Sequence, residues 1–247
     1  MEGNCVIDKE LLMRIAENKG LKNRDHIEKD YFQDLFLFHL CKKTNNFVLK
    51  GGTCLYKLYN LPRFSEDLDF SVLSSKGIEE TIESVGKNLK AKVESKKTKT
   101  SLLFKLRFPG ILTQANTMRV DVSLVNIVFG FDVKNYASPY IDIPPFSLRV
   151  LKLEEIIAEK IHALIKRNNA RDLYDLFFLL RFVKPDENLI QKKLEIFKMK
   201  FDKELVKRKI EAIKPKWEAE LKPFLLVELT DFHFVKDFVE EKLNIKA

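Results

Sequence analysis

The chain has 247 residues, enough for one large domain or two small packed lobes, and its 45% hydrophobic and 32% charged content is that of a folded globular protein. It contains no run of about 18 apolar residues, so no transmembrane helix is expected; the polar start, Met1 to Lys9, lacks a signal-peptide core, and the cytoplasm is the expected location. The net charge of +8 favours an anionic partner, of which nucleic acid is the commonest kind.

Asp8 to Asn18 and Asp25 to Lys42 read as helices, the second with an apolar stripe through Ile27, Tyr31, Leu35 and Phe38. Phe47 to Leu49 reads as a strand, Gly51 and Gly52 break it, and Thr53 to Tyr59 reads as a short helix. Asp67 to Leu73 reads as a strand and Ile78 to Asn88 as a helix. Lys90 to Glu94, Leu102 to Phe108 and Thr117 to Val125 then read as strands between polar turns. Ser138 to Pro145 holds three of the eight prolines and reads as a linker. Helices follow at Leu153 to Lys166, Arg171 to Phe182, Leu189 to Phe197, Lys203 to Ile213 and Phe234 to Leu243. The expected architecture is α+β: a mixed lobe over residues 1–145 with a small sheet, then a helical C-terminal lobe over 146–247.

Two short stretches carry the chemistry. Glycines at the junction of Phe47–Leu49 with the following helix let phosphate oxygens approach the backbone, and the helix N-terminus supplies free N–H groups. A plain turn is the competing reading of Gly51 and Gly52. Downstream, Asp67 and Asp69 alternate with Leu68 and Phe70, which in a strand puts both carboxylates on one face. Such a pair can share a divalent cation. A helix cap would explain Asp67 but not Asp69.

The wording Leu49-Lys50-Gly51-Gly52-Thr53 with Arg63-Phe64-Ser65-Glu66-Asp67-Leu68-Asp69-Phe70 resembles the nucleotidyltransferase superfamily related to DNA polymerase beta. It is similar in particular to the AbiEii/AbiGii-type nucleotidyltransferase toxins of prokaryotes. A second matching block is Glu159-Lys160-Ile161-His162-Ala163-Leu164, Arg167, and Arg171-Asp172-Leu173-Tyr174-Asp175-Leu176. The resemblance spans about Phe47 to Leu180. It implies a polymerase-beta-like fold and transfer of a nucleotide from an NTP with Mg2+ or Mn2+ as cofactor. It also implies a toxin of a type IV toxin–antitoxin or abortive-infection system, with tRNA as an RNA acceptor and a separate antitoxin as partner. A small molecule or protein acceptor, and a non-catalytic binding module on the same scaffold, are the alternatives.

Nucleotidyl transfer requires charge stabilisation around a triphosphate, and three carboxylates commonly hold the metal. Asp67 and Asp69 are two. Asp121, between Val120 and Val122, is the expected third, with a solvent-facing edge-strand Asp as the alternative and Asp132 as a weaker competitor. Thr53 is expected to add a hydroxyl or N–H to the phosphates, and Arg63 and Ser65 are near enough in sequence to touch them. Lys50 has an undetermined direction. Lys160 falls in the middle of the apolar face formed by Leu153, Ile156, Ile157 and Leu164, where a lysine calls for an anionic partner such as a bound triphosphate; a stem with its ammonium in water is the alternative. Asp172 lies on an inward face or caps its helix. The family pattern carries Lys160, Arg171 and Asp172 into the site, and Asp175 more weakly. His162 points away from Lys160. There is no Walker-type glycine loop with a terminal Lys-Ser/Thr, so a P-loop NTPase is not expected.

Basic residues cluster twice, at Lys92, Lys96, Lys97, Lys99, Lys105 and Arg107, and from Lys192 to Lys216. Each reads either as a solvated face or as a surface for an RNA backbone. Cys5, Cys41 and Cys54, and the four histidines, show no metal-ligand spacing.

Overall fold

The computed structural model describes residues 7–125 and 127–245, so Cys5 lies outside the described residues. The chain forms two compact units. The first takes the chain up to Leu58 and Phe64–Val150; the second takes Tyr59–Arg63 and the chain from Leu151 onward.

The first unit begins with α1 (Lys9–Asn18) and α2 (Arg24–Lys43), followed by β1 (Phe47–Lys50), α3 (Gly51–Tyr59), β2 (Leu68–Val72) and α4 (Ile78–Asn88). Five further strands complete it: β3 (Lys92–Lys97), β4 (Ser101–Pro109), β5 (Ala115–Ser123), β6 (Phe131–Tyr136) and β7 (Phe146–Leu151). The sheet order is β3-β4-β5-β2-β1-β7-β6. It is mixed: β1 runs antiparallel to β2 and parallel to β7, and β2 runs parallel to β5.

Alternation along β4 and β5 divides the sheet into two faces. Leu102, Phe104, Leu106, Phe108, Met118, Val120 and Val122 are buried on one, while Leu103, Lys105, Arg107 and Arg119 are exposed on the other. The apolar face meets α2, with Phe32 3.8 Å from Phe108 ring to ring and Phe36 6.4 Å from Phe70. Helix α4 lies close to β3, because Gly86 has no side chain: a Cβ there would overlap Val93 Cγ2.

Helix α2 departs from the single apolar stripe expected of it. It buries Glu28, Asp30, Gln33 and Asp34 as well, and each carboxylate finds donors far along the chain. Glu28 accepts from the backbone N–H of Ile111, Leu112 and Thr113, the Thr113 hydroxyl at 2.7 Å and Asn116 Nδ2 at 3.0 Å, closing the β4–β5 turn. Burial alone would raise its pKa; the donated bonds from Thr113 and Asn116 lead a set that lowers it. Lys57 Nζ stands 2.5 Å from Asp30 and 2.7 Å from Asp34. Tyr140 donates to Asp30 at 2.6 Å, and Tyr136 and Ser138 donate to Asp34 at 2.9 and 2.7 Å. Ser138 to Pro145, read from sequence as a linker between lobes, is therefore the β6–β7 loop, pinned to α2 by buried Tyr140. The strands β6 and β7 were not anticipated, and the first unit runs to Val150 rather than ending near Pro145.

The second unit is helical, as expected: α5 (Leu153–Arg167), α6 (Ala170–Leu179), α7 (Glu187–Ile196), α8 (Lys203–Glu211), a 3-10 turn at Lys214–Lys216, α9 (Trp217–Leu221) and α10 (Phe232–Lys242). Helix α5 packs against α6, α7 and α8. Lys193, 1% exposed, sits 2.9 Å from Glu155 and 3.3 Å from Glu159, tying α7 to α5. Tyr59–Arg63 joins this unit through a bridge from Arg63 to Leu225 and a 3.1 Å bond from Leu226 N–H to the Pro62 carbonyl. Among the described residues no helix is long and apolar enough to cross a membrane.

Candidate active site

The sheet register sets the candidate site in the first unit. Asp69 pairs with Asp121 across the parallel β2–β5 ladder and with Lys50 across the antiparallel β1–β2 ladder. Registered partners project to the same face about 4.8 Å apart, so Lys50, Asp69 and Asp121 form one row across three strands. Asp67 lies two positions before Asp69, at the entry to the same strand. This settles the direction of Lys50, which is 9% exposed.

The Gly51–Gly52 turn adjoins this row. Helix α3 begins at Gly51, whose φ is +70°, a left-handed conformation that costs other residues about 1–2 kcal/mol. A Cβ on Gly51 would also overlap Asp69 Oδ2. The glycine thus lets the strand–helix junction touch a candidate catalytic carboxylate. The N–H groups of the first turn, Gly51 to Cys54, have no acceptor within the helix. Gly51→Ala should lower kcat/KM by about 100-fold through displacement of Asp69, the scale expected when a reacting group moves by about 1 Å. Steady-state label transfer beside a melting curve would check this, the melting point falling by about 2–8 °C for a cost of about 1–2 kcal/mol.

The segment before Asp67 is held from two sides. Gln33 Nε2 donates to the carbonyls of Ser65 and Glu66 at 2.8 and 3.0 Å. The Thr53 hydroxyl donates to the Asp67 carbonyl and lies 3.4 Å from that of Ser65. The hydroxyl of Thr53, expected on a phosphate, is thus engaged in holding Asp67, which leaves its N–H to face the helix mouth. Gln33 escaped the sequence reading, which left the direction of Lys50 open. Parity with Val48 along β1 was a usable signal for Lys50; nothing local pointed to Gln33.

The second unit gathers Arg63, Lys160, Asp172 and Asp175. Lys160 Nζ is 3.1 Å from Asp172 and 2.7 Å from Asp175. Arg63 grips Asp175 with two bonds, Nε at 2.7 Å and Nη2 at 2.6 Å. Arg167 does the same to Asp172 at 2.8 and 2.9 Å. Burial by itself raises both carboxyl pKa values. Lys160 and Arg167 outweigh it at Asp172, and Arg63 and Lys160 outweigh it at Asp175, so both end below the ordinary range. The anionic partner that the buried Lys160 demanded is thus a pair of aspartates on the next helix, and its burial does not require a bound triphosphate. Arg171 stands apart from this cluster, its guanidinium 4.7 Å above the Phe224 ring.

Carboxylate oxygens are hard ligands suited to Mg2+ or Mn2+. Among the described residues no three such groups are already drawn into one coordination shell. The backbone register nonetheless brings Asp69 and Asp121 side by side with Asp67 next in line, a donor set that fits such a cation.

A family model described as nucleotidyl transferase AbiEii toxin, type IV toxin–antitoxin system, matches residues 35–240. The chain belongs to the AbiEii nucleotidyltransferase toxin family. It is accordingly a nucleotidyltransferase. A comparison with curated proteins finds no match. Among solved structures it is similar to MenT4, a nucleotidyltransferase toxin from Mycobacterium tuberculosis, with a TM-score of 0.64 at 20% identity, covering 97% of this chain and 89% of that one. It is also similar to JHP933 from Helicobacter pylori, with a TM-score of 0.55 at 20% identity, covering 90% and 92%. These likenesses carry the fold, which is the polymerase-beta-like nucleotidyltransferase fold expected from the two motifs. For an AbiEii nucleotidyltransferase, the row through Lys50, Asp69 and Asp121 beside Gly51 and Gly52 is the natural candidate for the reaction centre.

Proposed function

We propose that this AbiEii-family enzyme transfers a nucleoside monophosphate from an NTP to a hydroxyl at the end of an RNA, with release of pyrophosphate and with tRNA as the acceptor, and acts as the toxin partnered by a separate antitoxin in the cytoplasm. The registered Asp69–Asp121 pair beside the Gly51–Gly52 turn carries the reading. The chain's charge of +8 and the exposed cations on β3, β4 and β5 support a polyanionic acceptor.

In this reading Asp67, Asp69 and Asp121 hold a divalent cation, Mg2+ in the first place. When bound, it supplies charge neutralisation for the phosphates and lowers the pKa of the attacking hydroxyl. The N–H groups of Gly51, Gly52 and Thr53 donate to triphosphate oxygens at the mouth of α3. Gln33 and the Thr53 hydroxyl fix the backbone of Ser65 to Asp67, so that the carboxylates enter the row at a set height. Arg63, Lys160, Arg171 and Asp172 are carried as site residues by the family pattern. The cluster in which Arg63, Lys160 and Asp172 stand gives them a structural task in the helical unit as well.

The test is label transfer. Purified protein with Mg2+, each of the four α-labelled NTPs and total tRNA should yield labelled tRNA, and Asp67→Ala should yield none. Label found in the protein itself would replace tRNA with a protein acceptor. Triphosphate binding without transfer to tRNA would overturn tRNA as the acceptor and leave another RNA or a small molecule in its place.

A further inference from the structure

The exposed face of β3, β4 and β5 is read off in rows. One row runs Lys96, Leu103, Asp121, Asp69, Lys50; the next runs Glu94, Lys105, Arg119; the third runs Lys92, Arg107, Thr117. Lys92, Lys96, Lys105, Arg107 and Arg119 are all exposed on that face, against the single exposed acid Glu94. The rows step about 6.6 Å along the strands, so the cations of the second and third rows lie roughly 7–13 Å from the level of Asp121.

We propose that this sheet face is the track on which the phosphate backbone of the acceptor RNA's single-stranded end lies, leading its terminal hydroxyl to the Asp69–Asp121 row. The proposal rests on the RNA-acceptor reading above and adds the surface that reading lacks. Charge complementarity is the first argument, and position is the second: the cations share strands and rows with the carboxylates. Leu103, between Lys96 and Asp121 in the same row and 36% exposed, offers an apolar surface against which a base can lie.

Two competing explanations fall short. Lysines on an edge strand guard against edge-to-edge pairing, which would account for Lys92 and Lys96 on β3. It does not account for Lys105 and Arg107 on β4 or for Arg119 on β5, which are interior strands. The other basic run, from Lys192 to Lys216, is larger on paper but partly spent on its own unit. Lys193 is buried between two glutamates, Lys203 pairs with Glu187 at 2.8 Å, and Lys216 pairs with Glu220 at 3.3 Å and donates to the Asn168 carbonyl. On the sheet face the pair Lys92–Glu94, at 3.3 Å, is exposed on both sides and binds its charges weakly.

The experiment measures the salt dependence of binding of total tRNA, with a face variant carrying K96Q, K105Q, R107Q and R119Q. A control variant carries K192Q, K198Q, K200Q and K214Q, removing the same charge from exposed sites on the helical unit. Each lost single-strand phosphate contact lowers the slope of log K against log salt by about 0.7, so the face variant should lose about 3 and the control nothing. KM for tRNA should rise at least about tenfold in the face variant with kcat nearly kept, the signature of lost uniform binding. Retention of labelled NTP equal to wild type certifies the fold; should the quadruple variant fail that check, K105Q/R107Q alone should lose about 1.4 of slope. An unchanged slope in the face variant, or an equal loss in the control, overturns the track while leaving tRNA as acceptor. A wild type that neither binds nor labels tRNA overturns the RNA reading and the track with it.

Discussion

Asp69→Asn and Asp121→Asn should each reduce the rate of nucleotidyl transfer by about 1,000-fold or more, equivalent to ~4 kcal/mol of transition-state stabilisation, without unfolding the protein. The two carboxylates are registered partners on neighbouring strands, and like charges placed directly opposite repel. Lys50 stands in the same row, and under the proposed function a divalent cation would balance the remaining charge of the pair. Two measurable consequences follow from one geometry. In a metal-free buffer either Asn variant should melt at or slightly above the wild-type temperature, because a repulsive pair has been relieved. On addition of Mg2+ the wild type should gain melting temperature by mass action, and the variants should gain much less. A variant that melts lower in metal-free buffer and still responds fully to Mg2+ would show that the pair is structural and that the metal sits elsewhere. Ser123→Ala, one step along β5, serves as control and should leave both readings unchanged.

What made this site legible was parity. Asp67 and Asp69 alternate with buried Leu68 and Phe70, and Asp121 lies between buried Val120 and Val122, so the face of each carboxylate follows from the strand period alone. Which strands lie side by side does not. The parallel pairing of β2 with β5 spans some fifty residues of sequence, and Asp121 was joined to the other two only by the chemical need for a third carboxylate on a neighbouring strand, met by its alternation with Val120 and Val122. Strand β6 was missed because it carries weak alternation, with Asp132, Val133 and Asn135 all exposed. Strand β7 was masked by Pro144 and Pro145 immediately before it, which read as the end of a lobe.

The least legible layer was polar burial. Nothing in the sequence around Glu28, Asp30, Gln33 and Asp34 announces that they are covered, because their partners are Thr113, Asn116, Tyr136, Ser138, Tyr140 and the Ser65 carbonyl, far along the chain. Lys160 is the instructive intermediate. The helical wheel rightly placed it inward and rightly demanded a counter-charge. A wheel describes one helix, and the counter-charge came from α6, where Asp172 and Asp175 stand at i and i+3 on the face turned to α5.

That cluster carries the second large effect. Asp175→Ala should destabilise the helical unit by about 3–5 kcal/mol, the usual cost of removing one partner from a buried ion pair. Asp175 is fully buried, and its loss leaves the Arg63 guanidinium, 3% exposed, without its two-bond acceptor while Lys160 keeps only Asp172. Asp172→Ala should cost less, because one of its two cations, Arg167, is 63% exposed and can turn to water. Urea unfolding followed by circular dichroism would rank the two. Acid adds an independent check. The Asp175 carboxyl is held below its ordinary value of 3.8 by Arg63 and Lys160 against the upward push of burial. A depressed carboxylate stabilises the fold at pH above that ordinary value, and the contribution drains away as pH falls from 3.8 towards the lower folded value. Wild type should therefore lose stability steeply across that acid range, while Asp175→Ala, already lacking the contribution, should follow a flatter curve that approaches the wild type from below. Equal steepness in the two proteins would mean that Arg63 and Lys160 do not stabilise the Asp175 carboxylate, and the account of the cluster would fail. Replacing the charges together, as Arg63→Met with Lys160→Met and Asp175→Leu, should recover much of the loss, since the cost arises from charges left buried without a partner rather than from lost attraction.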